Sequence, residues 1–309
     1  MTTALITHET GLTHEPGPQH PERPARLKAV ADALAGAEFA ALLRLLAPEA
    51  PDSALHRVHP AAYVEAVREA SPAQGFTRLD ADTAMSPGTL SAALYAAGGA
   101  MLGVDQVLKG AAQYAFVAMR PPGHHAERAT AMGFCFFNSV AVAARHAQKA
   151  YGVERVAIVD FDVHHGNGTQ DIFWADPTVL YASTHEMPLY PGSGHSSERG
   201  DFDNIVNAPL KAGDDGEAYR IVFSDIIMPR LRAFKPDLVL ISAGFDAHTR
   251  DPLANINLEA EDFTWVTKAL MEIADATAGG RIVSVLEGGY DLQGLAESSA
   301  AHVRALMRG

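Results

Sequence analysis

Six short apolar runs, separated by segments with helical periodicity, constrain the fold of this chain more than any other feature. The runs are TALIT (3–7), YAFVAM (114–119), RVAIVD (155–160), TVLYAS (178–183), DLVLIS (237–242) and RIVSVL (281–286). Their length and β-branched content are typical of strands buried on both faces. Helical patterns occupy residues 24–35, 88–108, 138–150, 217–233, 259–277 and 291–307. The alternation predicts an α/β fold with a parallel sheet covered by helices on both faces.

The chain of 309 residues contains no linker, repeat or low-complexity tract long enough to divide it. We therefore expect one domain over residues 1–309. No stretch of 18 uninterrupted apolar residues occurs, and the amino terminus lacks the basic and apolar regions of a signal peptide. A protein without a membrane span, located in the cytoplasm, is the resulting expectation.

The amino-acid composition limits the kinds of site that the chain can form. Cys135 is the only cysteine, so an intrachain disulfide and a Cys-rich zinc site are both excluded. A transition metal would have to be held by His, Asp or Glu. The formal net charge of −13 disfavours direct binding of nucleic acid and is compatible with cationic substrates.

Four of the apolar runs are followed directly by polar clusters. YAFVAM precedes RPPGHHA, RVAIVD precedes FDVHHGNG, DLVLIS precedes AGFDAH, and RIVSVL precedes EGGYD. In sheets of this class, ligands bind beyond the carboxyl ends of the strands. The four clusters are therefore predicted to form one site at the same edge of the sheet.

The cluster after RVAIVD has the spacing of a metal site. Asp162 and His164 are two residues apart, so in an extended segment they share one side, and Asp246 is a natural third ligand from another strand end. Two carboxylates and one imidazole leave positions open for water and substrate, as in catalytic zinc sites. The alternative is a solvated polar loop, although Gly166 and Gly168 suggest close approach of the backbone.

The adjacent histidines of RPPGHHA suit proton transfer. His124 and His125 would each need an orienting partner, and Asp160 and Asn167 are credible partners. A carboxylate stabilises imidazolium whereas an amide does not, so the two histidines should differ in basicity. A surface or metal-binding pair is the alternative interpretation.

Tyr290 follows two glycines, which allow a tight turn that places its phenol at the predicted site. A tyrosine hydroxyl opposite a metal would polarise a carbonyl and stabilise an oxyanion. Alternatively, Tyr290 is only a packed aromatic residue. His165, although prominent in the HH pair, is assigned no catalytic role.

Taken together, the motifs RPPGHHA, GFCFFNSVAVAA, VDFDVHHGNGTQ, SAGFDAH and EGGY resemble the zinc-dependent histone deacetylase family. HPERPARL at 20–27 and DADTAMSPGTL at 80–90 extend the resemblance over nearly the whole chain. The closest branches are class II and its bacterial deacetylase-like and acetylpolyamine-amidohydrolase relatives. The resemblance implies a three-layer α/β/α arginase–deacetylase fold with a mostly parallel sheet of about eight strands.

The resemblance also implies roles for individual residues. The zinc ligands would be Asp162, His164 and Asp246, and the catalytic residues His124, His125, Asp160, Asn167 and Tyr290. The substrate-binding residues would be Gly133, Phe134, Tyr190 and Leu253, where Tyr190 replaces the family's usual Phe and Leu253 replaces the Glu of the polyamine-selective branch. Class I members generally carry Asp at the position of Asn167.

Two further sites are implied by the family alone. A structural K⁺ would be bound by oxygens of Asp160, Asp162, His164, Ser183 and Thr184. Arg26 would lie near an internal cavity through which acetate leaves.

The implied activity is zinc-dependent hydrolysis of an acyl amide on lysine, in a peptide or protein, or on a similar acylated amine. Acetylpolyamine hydrolysis is the nearest alternative. A dimanganese ureohydrolase on the same fold and a non-catalytic acyl-lysine binding module are the others. The oligomeric state, the acyl length and the choice of zinc or iron stay open.

Overall fold

A parallel sheet forms the centre of the protein, as the apolar runs predict. The computed structural model describes residues 2–308. Within them, the strands are β1 (Thr3–Thr7), β2 (Leu43–Leu46), β3 (Thr77–Arg78), β4 (Ala84–Met85), β5 (Tyr114–Val117), β6 (Val156–Asp160), β7 (Val179–Glu186), β8 (Ile205–Leu210), β9 (Leu238–Ala243) and β10 (Ile282–Leu286). Eight of these pair in parallel in the order β2-β1-β5-β10-β9-β6-β7-β8, which confirms the prediction of about eight strands. β3 and β4 form a separate antiparallel pair.

Helices cover both faces of the sheet. They are α1 (Ala25–Ala33), α2 (Asp52–Leu55), α3 (Ala61–Ala70), α4 (Thr89–Leu108), α5 (Ser139–Tyr151), α6 (Asn167–Phe173), α7 (Gly216–Val222), α8 (Met228–Phe234), α9 (Ala260–Thr277) and α10 (Leu292–Arg308). The segment predicted as one helix over 217–233 is instead α7 and α8 joined by a π-helical turn, Phe223–Ile227. No helix within residues 2–308 is both long and apolar enough to cross a membrane.

The alternation of side chains along each strand divides the interior into two hydrophobic layers. On β6, Ala157 and Val159 belong to the layer formed with α1 and α7–α10. Val156 and Ile158 point the other way, into the layer formed with α2–α5. Because successive residues of a strand face opposite sides, one uninterrupted apolar run supplies both layers. This three-layer arrangement is the α/β/α architecture that the sequence predicts.

The two edge strands, β2 and β8, escaped the sequence prediction. β2 alternates between half-buried and exposed residues, so it has no continuous apolar run. β8 contains Asn207 and Pro209, which interrupt its apolar pattern. Proline is tolerated in a sheet mainly at an edge, where the missing N–H removes no hydrogen bond to a further strand.

The strand order explains why the four polar clusters meet. β5, β10, β9 and β6 are consecutive neighbours in the centre of the sheet. They are the strands that precede RPPGHHA, EGGYD, AGFDAH and FDVHHGNG, respectively. Since all four are parallel, their carboxyl ends lie at one edge of the sheet.

Gly98, in the middle of α4, is required by packing. Adjacent glycines such as Gly98 and Gly99 are unfavourable inside a helix, yet α4 is continuous and Gly98 is buried. A Cβ on Gly98 would lie 1.9 Å from the main-chain oxygen of Pro48, because the segment around Pro48 crosses the helix there. The same segment is fixed by a hydrogen bond from the Ala50 N–H to the Leu94 carbonyl.

We therefore expect Gly98→Ala to destabilise the protein, although alanine favours helix. The gain in helix propensity is about 1 kcal/mol, whereas overpacking against backbone typically costs about 1–3 kcal/mol or more. Urea unfolding would measure the change in the free energy of unfolding. Ser91→Ala, on the exposed face of α4, is the control and should leave stability unchanged or slightly raised. An increase in stability for Gly98→Ala would contradict this view of the packing.

Candidate active site

Two carboxylates and an imidazole converge at the end of β6 and β9. Asp162, His164 and Asp246 are buried, and one potential ligand atom from each lies within 4.8 Å of the others. The Nδ1 atom of His164 is 3.1 Å from Asp246 Oδ2 and 3.3 Å from Asp162 Oδ1. Burial and the neighbouring Asp162 raise the pKa of Asp246 to about 7. The raised pKa reflects the cost of placing two carboxylates side by side away from water, and the carboxylate oxygens and imidazole nitrogen are donor atoms that suit a divalent ion.

Backbone N–H groups orient both carboxylates of this cluster. Gly288 donates to Asp162 Oδ2 over 2.8 Å, and Val163 donates to Asp246 Oδ1 over 2.9 Å. Each donor belongs to one of the four strand-end segments, so the two ligands are fixed by the same edge of the sheet. Their remaining oxygens lie beside Nδ1 of His164.

The paired histidines each contact the partner that the sequence suggests. The Nδ1 atom of His124 lies 3.0 Å from Asp160 Oδ2, and Nδ1 of His125 lies 2.8 Å from Asn167 Oδ1. The two rings are 4.0 Å apart between centroids. The structure thus joins residues from the ends of β5 and β6 into two separate pairs.

The two histidines differ in basicity, in the expected order. Burial favours neutral imidazole at both positions. At His124, Asp162 and Asp160 outweigh burial and hold its pKa well above the usual value. At His125, burial and the neighbouring His124 and His164 hold the pKa well below it. The site therefore contains one strongly basic imidazole beside one that stays neutral near pH 7.

A cavity of about 200 Å³ opens onto these groups. Its lining includes every proposed substrate-binding residue together with parts of the catalytic cluster: Asp82, His125, Gly133, Phe134, His164, Leu189, Tyr190, Leu253 and Tyr290. The Tyr190 ring meets the His125 ring edge-on at 5.2 Å, and Phe134 meets Tyr290 in the same way at 6.0 Å. These aromatic side chains give the cavity a largely apolar lining next to His125.

The turn that carries Phe134 has an unusual backbone conformation. Gly133 and Phe134 both have positive φ, at 56° and 67°. A Cβ on Gly133 would lie 2.4 Å from Cδ2 of His125, so glycine is needed for the turn to pack on that ring. Asp82 and Thr83 stabilise the turn by accepting hydrogen bonds from the Gly133 and Phe134 N–H groups.

Tyr290 is buried against Arg26. The guanidinium carbon of Arg26 lies 4.8 Å from the centre of the Tyr290 ring. Arg26 also donates to the main-chain oxygens of Gly289 and Glu287, at 2.6 and 2.5 Å, and to the carboxylate of Glu22 at 3.0 Å. It therefore supports the glycine turn from which Tyr290 projects. Burial raises the pKa of the Tyr290 hydroxyl well above its usual value.

Three acidic residues support the site without being prominent in the sequence. Glu287 accepts from the Gly123 and His124 N–H groups, at 2.6 and 3.1 Å. Asp251 Oδ2 accepts from the Tyr290 N–H at 2.6 Å. Asp82 lines the cavity. Sequence reasoning passed over them because their partners come from distant segments, although Asp82 and Glu287 stand within the quoted motifs.

The residues implied in potassium binding also lie together. Asp160 on β6 is paired directly with Ser183 on β7, next to Thr184. The loop with Asp162 and His164 follows β6.

His165 points away from the metal-ligand cluster and the histidine pair. Its Nδ1 lies 2.8 Å from Ser193 Oγ, and its Nε2 lies 3.1 Å from Gln170 Oε1.

Comparison with known proteins places this site in a family. Residues 20–306 match the histone deacetylase domain. A histone deacetylase-like amidohydrolase of Pseudomonas aeruginosa is 42% identical over 277 residues, which cover 88% of this chain and 72% of that protein. Polyamine deacetylase HDAC10 of Homo sapiens is 40% identical over 328 residues, which cover 99% of this chain and 48% of that protein.

The same relationship is visible in three dimensions. The crystal structure of the HDA15 HD domain aligns with a TM-score of 0.94 and 37% identity, covering 99% of this chain and 90% of that one. With the eight-stranded parallel sheet, this match confirms the arginase–deacetylase fold. The chain belongs to the histone deacetylase family of deacetylases and amidohydrolases.

Proposed function

We propose that the protein is a zinc-dependent deacetylase that removes acetyl or other acyl groups from acylated lysine or a similar amine. The observation that carries this proposal is the convergence of three kinds of group on one small cavity. His164 of the metal-ligand cluster, His125 of the histidine pair and Tyr290 all line it. Metal ligation, proton transfer and oxyanion stabilisation are therefore available at one carbonyl group.

Asp162, His164 and Asp246 would hold the zinc ion. Their donor set of two carboxylates and one imidazole fits a catalytic zinc site, which keeps positions open for water and substrate. When bound, zinc supplies Lewis-acid polarisation of the acyl carbonyl and lowers the pKa of water. A cation there would also relieve the repulsion between the two buried carboxylates.

His125 is proposed as the general base. Its Nδ1 is engaged by Asn167, so Nε2 is the nitrogen left to accept a proton from the attacking water. A low pKa keeps this ring neutral and able to accept that proton near pH 7. The histidine pair then returns a proton to the amine nitrogen as the amide bond breaks.

Tyr290 is proposed to stabilise the oxyanion. Its pKa lies well above the usual value, so the phenol stays protonated and can donate its hydrogen to a developing negative oxygen. Arg26, which contacts the ring and the turn beneath it, would keep this donor in place. The role of Arg26 near a cavity through which acetate leaves is a separate prediction, which the family resemblance implies.

The aromatic lining from Phe134 and Tyr190 would suit an alkyl chain that carries an acylated amine. Leu253 is apolar where the polyamine-selective branch carries Glu, which supports acyl-lysine as the substrate. Two observations support acetylpolyamine hydrolysis as the second candidate. Asp82 places a carboxylate in the cavity, where it could bind a cationic amine. In addition, one relative is named as a polyamine deacetylase.

We also propose that the chain is a single catalytic domain and that it binds a structural potassium ion. The K⁺ would be held by oxygens of the loop after β6 and of the Ser183–Thr184 pair, and the pairing of Asp160 with Ser183 in the sheet is compatible with this. The proposed partners are free or peptide-borne acylated amines, without direct contact to nucleic acid.

Asp246→Asn tests the metal site. We expect about one zinc ion per chain in the wild type, and zinc affinity at least about tenfold weaker in the variant, because one anionic ligand is lost. Metal analysis and competition with a chromophoric chelator would measure both quantities. The melting temperature of the metal-free variant should be no lower than that of the metal-free wild type, since the substitution removes a carboxylate that repels Asp162. Wild-type zinc affinity in Asp246→Asn would refute the assignment.

Tyr290→Phe tests the oxyanion role. With zinc content unchanged, kcat on an acetyl-lysine peptide should fall by about 10²–10³-fold, as expected when a hydrogen-bond donor to an oxyanion is lost. Tyr95→Phe, in α4, serves as a control for loss of a tyrosine hydroxyl outside the cavity. Near-normal turnover by Tyr290→Phe would exclude this role.

A substrate comparison separates the two candidate functions. For the wild type, kcat/KM should be more than about tenfold higher for an acetyl-lysine peptide than for N-acetylputrescine, a difference of about 1.4 kcal/mol. Leu253→Glu should shift the ratio toward the polyamine by adding a negative charge at the cavity, whereas the uncharged Leu253→Gln should not. A wild-type preference for N-acetylputrescine would establish the second candidate instead.

A further inference from the structure

Asn167 lies between two residues of the same loop. Its Oδ1 is 2.8 Å from Nδ1 of His125, and its Nδ2 donates to Oε1 of Glu127 over 2.8 Å. His125 and Glu127 are two residues apart, so the loop contacts the amide from both ends. The sulfur of Met132, 3.3 Å from Nδ2, is a second and weaker acceptor on the Glu127 side.

The backbone around these side chains is firmly docked. The Thr169 N–H of α6 donates to the His124 carbonyl over 3.1 Å, and the Asn138 side chain donates to the Ala126 carbonyl over 3.3 Å. A Cβ on Gly168 would lie 2.3 Å from the oxygen of Ala126, so helix and loop are in direct contact there. The backbone that carries Asn167 is therefore held in place, and rotation about its two side-chain bonds is the freedom left to the amide.

Glu127 selects one of the two orientations of that amide. A carboxylate has only acceptor atoms, so the NH₂ group of Asn167 must face it, and the carbonyl oxygen must face His125. That oxygen also only accepts, so Nδ1 of His125 must carry the hydrogen. A neutral imidazole protonated at Nδ1 has its lone pair on Nε2. Without Glu127, the amide can turn round, and its NH₂ group then favours the opposite tautomer.

We propose that Glu127 is a positioning residue that orients the Asn167 amide and thereby fixes the tautomer of His125 that can act as base. The inference rests on the proposed function for the role of His125. Glu127 is half-buried and faces a cavity of about 370 Å³ that it shares with Met132, Asn167, Asp171 and Trp174. It acts through Asn167, since His125 rather than Glu127 lines the cavity with Tyr290.

Glu127→Met and Glu127→Gln distinguish this role from simple packing. Methionine has similar length but offers no strong acceptor, so we expect kcat on an acetyl-lysine peptide to fall by about 10–100-fold, with KM within about twofold. Glutamine offers a donor as well as an acceptor, so it fixes the Asn167 amide only in part, and Glu127→Gln should lose less kcat than Glu127→Met. Asp171→Asn removes a carboxylate from the same cavity without contacting Asn167 and should have no effect.

The tautomer of His125 provides a readout that does not depend on activity. Long-range ¹H–¹⁵N spectra of ¹⁵N-histidine protein, assigned with His125→Ala, should show hydrogen on Nδ1 in wild type and, to a smaller extent, in Glu127→Gln. Glu127→Met should show hydrogen on Nε2 or a mixture of both tautomers. Glu127→Ala repeats the measurement if the methionine variant does not fold.

Two results would overturn the proposal. One is wild-type kcat together with an unchanged His125 tautomer in Glu127→Met. The other is an equal loss of kcat in the Met and Gln variants with the tautomer unchanged, which indicates a role for charge alone. If the wild type hydrolyses no acylated amine, the proposed function fails, whereas the spectra still decide whether Glu127 sets the tautomer.

Discussion

The burial of several carboxylates at one edge of a parallel sheet is the constraint on which the rest of the site depends. Asp160, Asp162, Asp246 and Glu287 are all withdrawn from water at the ends of three neighbouring strands. Burial raises the pKa of both Asp246 and Glu287 to about 7. Such a cluster is stable only if hydrogen bonds and positive charge compensate for lost hydration.

The segments that follow the strands bury these carboxylates, and they also supply the hydrogen bonds that compensate for the lost hydration. Main-chain N–H groups of Gly288, Val163 and Gly123 each donate to a carboxylate of the cluster. Imidazoles supply further donors, and Asp162 and Asp160 hold the pKa of His124 well above its usual value. Under the proposed function, a divalent ion adds the remaining positive charge. Stability of the site and the ability to bind a metal then have one physical origin.

The His124–Asp160 and His125–Asn167 pairs show how the hydrogen-bond partner of an imidazole changes its basicity. His124 and His125 are adjacent in sequence and similarly buried. Asp160 offers a negative charge to one ring, whereas Asn167 offers only a dipole to the other. A dipole that can be reversed must be oriented by something else, and Glu127 has the contacts to do so. A carboxylate in place of Asn167 would need no such support, because both its oxygens accept.

Much of the fold and the positions of the site residues follow from local sequence patterns. β6 could be predicted because its first four residues are apolar, and Asp160 with the polar residues after it marks the strand's carboxyl end. β2 could not be predicted because it is partly solvated, and β8 could not because Asn207 and Pro209 interrupt its apolar run. The supporting residues Asp82, Glu127 and Glu287 were missed for a different reason. Their roles depend on contacts across the fold, such as that between Asp82 and Gly133, which spacing along the chain does not encode.

The most direct test of the central claim is an anomalous-scattering measurement at the zinc absorption edge on crystals of the zinc-loaded protein. The account predicts one zinc peak, with Asp162, His164 and Asp246 as its protein ligands and with the rings of His124 and His125 outside the coordination shell. Two metal peaks between these carboxylates, as expected of a ureohydrolase, would contradict it. A single peak bound by the histidine pair instead of Asp162 and Asp246 would contradict it equally.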